Sequence, residues 1–108
     1  MMMLAQFDTT ADAAIVHLSG QLTFAENSAF RRVVEGLQQT GADEVVIDLA
    51  ALDYIDSAGM GMLLVARDLT AARGGRVRLG NASGQVARML QLAKFSDFFA
   101  VDFDYAQV

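Results

Sequence analysis

Cysteine is absent from this 108-residue chain, and histidine occurs once, as His17. Without cysteine, disulfide bonds, cysteine-based zinc sites and thiol catalysis are all excluded. No apolar run approaches the ~20 residues that a helix needs to cross a bilayer. The N-terminus also lacks the basic and then apolar pattern of a signal peptide. We therefore expect no membrane insertion and a cytoplasmic protein.

Positive charge is scarce as well. Eight Lys and Arg residues face thirteen Asp and Glu residues, which leaves a net charge of −5. Surfaces that bind nucleic acid are usually basic, so we expect no nucleic-acid partner. Hydrophobic residues make up 54% of the chain, enough for a core. A chain of this length is most simply one domain over residues 1–108.

The apolar patterning predicts an α/β fold in the order β-β-α-β-α-β-α-β, with a mixed β-sheet. We place strands at Met2–Phe7, Ala13–Leu18, 44–49 and 76–79, an edge strand near the C-terminus, and helices at 24–41, 57–73 and from Ser83 onward. The polar turn between the first two strands indicates a hairpin.

The first helix carries clear boundary signals. Thr23 followed by Glu26 fits a capping box, so we expect the helix to begin at Phe24. Gly41 is a plausible C-terminal stop. The helix has one apolar stripe that we expect to be buried, formed by Phe30, Val33, Val34 and Leu37.

The most informative stretch runs from residue 53 to residue 64. It connects the apolar strand at 44–49 to a helix whose range contains no proline. Ser57 lies where that helix begins, and serine is a favourable N-cap residue. Free amide N–H groups and the helix dipole would also favour an anion on its hydroxyl. Ser57 is therefore either a helix cap or a phosphorylation site.

Neighbours of Ser57 have two interpretations each. Asp56 either caps the loop, or orients the serine hydroxyl or meets a cation of a partner. Met60 and Met62 fit a core, but methionine is also an adaptable residue at binding surfaces. Core is the simpler assignment for Met62.

Enzymatic signatures are missing. Asp-Ser-Ala-Gly is not a Gly-x-Ser-x-Gly nucleophile elbow, and His17 reads as an ordinary strand residue. Asp53 and Asp56 form no acid–base signature by their spacing alone. Asp48 resembles a response-regulator aspartate only in its position at a strand end, and no P-loop is present. We expect no catalytic residue, no metal ligand and no cofactor.

Together these segments resemble the STAS domains (sulfate transporter and anti-sigma factor antagonist) in their stand-alone bacterial form. Leu18-Ser19-Gly20-Gln21-Leu22 is similar to the family's glycine-centred turn. Val46-Ile47-Asp48-Leu49, followed by Asp56-Ser57-Ala58-Gly59-Met60-Gly61, is similar to its hallmark strand, loop and signature. The resemblance covers nearly the whole chain. It implies a STAS-like sandwich with its helices packed mainly on one face of the sheet.

The resemblance also implies a function. Ser57 would be phosphorylated by a serine kinase of the histidine-kinase-like ATPase fold, which is also an anti-sigma factor. The dephosphorylated antagonist would bind that kinase, and a PP2C-type phosphatase would restore this form. The partner-binding residues that it implies are Asp56, Ser57, Ala58, Gly59, Met60, Gly61, Gln21 and Thr23.

Some positions depart from the family pattern. Gln21 and Thr23 stand where many antagonists carry acidic residues, which puts the identity of the kinase in question. Ala58 replaces a second hydroxyl, so Ser57 is the only hydroxyl of the signature. An alternative remains open, in which the chain is the STAS subunit of a phospholipid-transport ABC system and binds its ATPase subunit.

Overall fold

In a computed structural model, which describes residues 3–10 and 12–103, one five-stranded sheet is combined with three α-helices. In chain order the elements are β1 (Met3–Thr9), β2 (Ala13–Leu22), α1 (Asn27–Thr40), β3 (Glu44–Ile55), α2 (Ser57–Ala72), β4 (Arg76–Ala82), α3 (Gly84–Leu92) and β5 (Ala100–Phe103). The predicted class and element order are confirmed. Met2, the predicted first residue of β1, lies outside the described residues.

The sheet has the strand order β1-β2-β3-β4-β5. β1 and β2 are antiparallel, and the other neighbours are parallel. Because parallel crossovers are right-handed, this order places α1, α2 and α3 on the same face. Burial alternates accordingly along the first parts of β2, β3 and β4, and Val16, Ile47 and Leu79 are fully buried on the helix side. Most residues on the other face of the sheet are only partly buried or exposed.

Helix α1 buries the predicted apolar stripe and ends at Gly41, whose φ of 65° is left-handed. Its start differs from the prediction. A 3-10 turn occupies Phe24–Glu26, and α1 begins at Asn27. The Thr23 hydroxyl donates to Glu26 Oε1 at 2.9 Å and accepts no backbone N–H, so the capping box is wrong. The cause is the burial of Glu26, whose carboxylate takes the nearest hydroxyl as its donor.

Strands β2 and β3 are both longer than predicted. Gln21 pairs with Tyr54 and Leu22 with Ile55, so the segments predicted as connector and loop are strand. Two register shifts, one directly after Gly20, interrupt the pairing. Gly20 has a φ of 89°, which glycine adopts without strain. The consequence for function is geometric, because the ends of β2 and β3 meet beside the start of α2.

Candidate functional site

The cap of α2 is Asp56. It has extended backbone (φ −109°, ψ −177°), and its Oδ1 accepts a hydrogen bond from the Gly59 amide at 2.7 Å. The amide of Met60 bonds the Asp56 carbonyl at 3.0 Å. Ser57 is therefore the first helical residue, and its interpretation as a helix cap is wrong. An aspartate is at least as good a cap as serine, so Asp56 takes that place.

Asp56 also joins α2 to the end of β2. Its Oδ2 accepts from the Phe24 amide at 3.2 Å, and its own amide donates to the Leu22 carbonyl at 3.3 Å. Both carboxylate oxygens are thus engaged by backbone N–H groups rather than by the Ser57 hydroxyl. These bonds place the predicted residues Gln21 and Thr23 beside the start of α2.

Ser57 is exposed at this junction. Within residues 3–10 and 12–103, its hydroxyl has no hydrogen-bond partner, since Asp56 satisfies the cap. The side chain lies in the first turn of a sixteen-residue helix, where the positive end of the dipole stabilises added negative charge. A phosphate could be added here without displacing an existing contact of the serine.

The two glycines of the signature differ in their surroundings. Gly59 is buried, and a Cβ added to it would lie 2.1 Å from the Leu22 carbonyl oxygen. Gly61 is exposed, and a Cβ added there would meet nothing within 4 Å. The absent side chain at 59 lets α2 approach the end of β2. Gly59 can therefore affect a partner only indirectly, through the position of α2, whereas Gly61 is accessible from solvent.

The remaining predicted contact residues are half-buried. They are Gln21, Thr23, Ala58 and Met60. Met62 is buried at 9% exposure and belongs to the core, as predicted. The structure thus brings Gln21, Thr23 and residues 56–61 into one region.

Sequence reasoning missed Gln85, a residue of α3. Its Oε1 accepts from the Ile55 amide at 2.9 Å, and its Nε2 donates to the Ile55 carbonyl at 2.8 Å. Among the residues that the structure describes, β4 pairs with β3 only as far as Asp48, so Ile55 has no partner strand on that side. The Gln85 amide takes the place of that strand and holds the backbone two residues before Ser57. Only the lengths of β3 and β4 could have revealed this role.

Phe24 was missed too. Its side chain is 73% exposed, although its amide is fixed to Asp56. The ring therefore adds exposed apolar surface beside the start of α2. The only sequence signal for Phe24 was its position directly after Thr23. That signal was overlooked because Phe24 was predicted to be the first residue of the helix.

A polar cluster lies on the face of the sheet that is opposite the three α-helices. His17 Nδ1 and Asp48 Oδ2 are 2.6 Å apart, and Asn81 donates to Asp48 Oδ1 at 3.0 Å. Burial alone would raise the pKa of Asp48, but hydrogen bonds from Asn81, His17 and the Ala50 amide outweigh it and lower that pKa. His17 is thus bound to Asp48, which lies far along β3 from Ile55 and therefore from Ser57. His17 is not placed to act as a base for Ser57.

Within the described residues, no three His, Asp or Glu side chains are grouped so that they could hold a metal ion. Across the same residues, no helix combines the length and apolar character that a membrane crossing requires.

Comparison with known proteins identifies the family. The STAS domain model matches residues 5–107, so the chain belongs to the STAS domain family. A STAS-domain containing protein of Pseudomonas aeruginosa is 29% identical over 86 residues, covering 80% of this chain and 84% of the relative. An anti-sigma F factor antagonist of Paenibacillus polymyxa is 29% identical over 80 residues, covering 73% and 68%.

Solved structures agree on the fold. The crystal structure of an anti-sigma factor antagonist from Mycobacterium paratuberculosis superposes with a TM-score of 0.80 at 18% identity, covering 92% of this chain and 84% of that one. The chain therefore has the STAS fold, and its structural neighbours include anti-sigma factor antagonists.

Proposed function

We propose that this protein is an anti-sigma factor antagonist that is switched by phosphorylation at Ser57. In the dephosphorylated state it binds a serine kinase of the histidine-kinase-like ATPase fold, which is also an anti-sigma factor. Phosphorylation releases the kinase, and a PP2C-type phosphatase restores the binding form. We expect this cycle to take place in the cytoplasm.

The observation that supports this proposal most is the state of Ser57. Its side chain is exposed at the start of α2 and its hydroxyl is unbonded within the described residues, while Asp56 satisfies the helix cap. A serine needed for folding would be buried or bonded. One whose hydroxyl is spared from both tasks is available to a kinase. The anti-sigma F factor antagonist among the relatives is consistent with the same function.

The proposed partner surface surrounds this hydroxyl. Its members are Asp56, Ser57, Ala58, Met60 and Gly61 of the α2 start, Gln21 and Thr23 of the β2 end, and Gly59 beneath them. Phosphate adds about −1.5 to −2 charges at pH 7. On a capped helix it would change the charge and shape of this surface without unfolding α2. The switch is then local electrostatics at an interface.

The test is an affinity pull-down from lysate of the source cell. Wild-type protein, Ser57→Asp and Ser57→Ala are used as baits, and bound proteins are identified by mass spectrometry. Ser96→Asp is a matched control, because Ser96 is also exposed but belongs to the turn after α3. A histidine-kinase-like ATPase retained by wild type, Ser57→Ala and Ser96→Asp, and lost from Ser57→Asp, is the expected result.

Two other results would count against the proposal. If Ser57→Asp retained that kinase as well as wild type does, charge at Ser57 would not control binding. Capture of an ABC ATPase or permease by all four baits would instead favour the phospholipid-transport alternative.

A further inference from the structure

A groove with a volume of about 340 Å³ lies between α1 and α2 at the surface. Phe30, Val34 and Met62 form its buried floor. Its rim carries side chains that remain in contact with solvent, namely Val65 and Leu69 of α2 and Arg31 of α1. Val65 is 54% exposed and Leu69 is 46% exposed. We call this the α1–α2 groove.

The α2 rim of the groove begins at the candidate phosphorylation site. Ser57, Gly61, Val65 and Leu69 follow one another at four-residue intervals, and all four are exposed. Residues four apart are neighbours along a row that is inclined to the helix axis and turns about 40° round the helix at each step. At a rise of ~1.5 Å per residue, the stripe is ~18 Å long. One continuous surface therefore leads from the serine into the groove.

The charged side chain on the rim of the groove is a cation, Arg31. Arg67, Arg76 and Arg78 each form an ion pair with a carboxylate. The guanidinium of Arg31, like those of Arg32 and Arg88, has no ion pair or hydrogen bond within the part of the chain that the structure describes. Glu35 follows one turn later in α1 but does not pair with it. In a chain of net charge −5, an unpaired cation beside exposed apolar side chains suits an acidic partner.

We propose that the α1–α2 groove binds an amphipathic, acidic helix of the protein partner. Apolar side chains of that helix would cover Val65 and Leu69, and a carboxylate would pair with Arg31. Helices commonly dock into such grooves through apolar residues one turn apart, which matches the spacing of the two exposed side chains. That the helix belongs to the kinase rests on the function proposed above.

This occupant also gives the switch a physical cause. Phosphate on Ser57 would place negative charge at the N-terminal end of the stripe that leads to the groove. Gly61 of this stripe lies ~6 Å further along the axis, within the ~8 Å over which physiological salt screens charge, whereas Val65, the first groove residue of the stripe, lies ~12 Å away and is more strongly screened. An acidic helix would be repelled there, whereas a basic helix would be attracted.

The experiment is a titration of isotope-labelled protein with a synthetic helical peptide, followed by amide chemical shifts. The probe has ~18 residues, long enough to form a helix, with leucines along one face and glutamates beside them. A second peptide carries lysine in place of each glutamate. We expect the acidic peptide to shift amides of α1 and α2 and to bind about tenfold more tightly than the basic one.

Matched variants locate the binding site. Arg31→Glu should weaken the acidic peptide about tenfold and reverse the charge preference. Leu69→Ser should weaken it about fivefold. Arg88→Glu and Leu92→Ser make the same changes at exposed residues of α3 and should leave binding unchanged. All four positions are at the surface, and circular dichroism verifies that each variant is folded.

Either of two outcomes would overturn the proposal. One is an acidic peptide that shifts no groove amide at millimolar concentration. The other is equal weakening by the α3 controls. Because no kinase is present, failure of the titration leaves phosphorylation of Ser57 standing. Conversely, a Ser57 that no kinase modifies would remove the kinase as the partner but leave a positive titration intact.

Discussion

Gly59→Ala is the substitution whose effect the structure defines most sharply. The added Cβ would lie 2.1 Å from the Leu22 carbonyl oxygen and 2.8 Å from Cγ1 of Ile55. Attractive contacts between heavy atoms lie near 3.5–4.0 Å, so the start of α2 would have to move by roughly 1 Å or more. Such a movement also strains the hydrogen bond from the Asp56 amide to Leu22.

The magnitude follows from opposing effects. Overpacking costs about 1–3 kcal/mol, and loss of the backbone hydrogen bond adds about 1 kcal/mol. Alanine in a helix regains about 0.8–1.0 kcal/mol over glycine. We therefore expect Gly59→Ala to lower the free energy of unfolding by about 1–3 kcal/mol. At roughly 4 °C per kcal/mol, the melting temperature should fall by about 4–12 °C.

Gly61→Ala is the matched control. It makes the same chemical change two residues later in the same helix, where the added Cβ would meet nothing within 4 Å. Only the helix-propensity gain remains, so this variant should be more stable than wild type by up to about 1 kcal/mol. Urea unfolding followed by circular dichroism measures both variants. Free energies of unfolding that agree within about 0.5 kcal/mol would refute the close approach of α2 to β2.

Three further perturbations test the surroundings of the site. Asp56→Ala removes the α2 cap and should cost about 1 kcal/mol in urea unfolding; an unchanged midpoint would contradict the capping role. Gln85→Ala leaves both backbone groups of Ile55 unpaired and should cost about 1–3 kcal/mol, while Gln91→Ala on the exposed side of α3 should be neutral. Because the pKa of Asp48 is lowered in the folded state, the unfolded chain binds the extra proton first. The stability that the Asp48 carboxylate contributes is present above the ordinary aspartate pKa near 4 and is lost as the pH falls through the lower pKa of the folded state. Asp48→Asn should therefore flatten the decline of the melting temperature with falling pH. An unaltered slope of melting temperature against pH would contradict this role of Asp48.

Much of the fold could be predicted because hydrophobic periodicity reports which face of an element is buried. The stripe at Phe30, Val33, Val34 and Leu37 predicted α1 and its buried face correctly. The run at 44–49 predicted the central strand. Glycine at position 41 marked the end of α1, because a left-handed residue is needed there.

The errors cluster where tertiary contacts override local signals. β2 and β3 continue past their predicted ends because they pair with each other through register shifts that break the alternating pattern. Thr23 and Glu26 have the spacing of a capping box, yet burial of Glu26 turns their hydroxyl and carboxylate toward each other. Neither effect is visible without the neighbouring strand or core.

The start of α2 was predicted correctly from the sequence, but the division of roles between Asp56 and Ser57 was not. Asp56 and Ser57 both suit a helix start, and their sequence cannot show which one supplies the cap. The structure assigns the cap to Asp56, which leaves the serine hydroxyl unbonded. Gln85 depends on a gap in strand pairing thirty residues away, and no local pattern encodes that gap.

The central claim is that charge on Ser57 controls binding of a kinase partner. The most direct measurement is calorimetric titration of that purified kinase with unmodified protein and with protein that carries phosphoserine at position 57. We expect the phosphorylated form to bind at least about tenfold more weakly, while its circular dichroism spectrum is unchanged. Equal affinity of the two forms would contradict it.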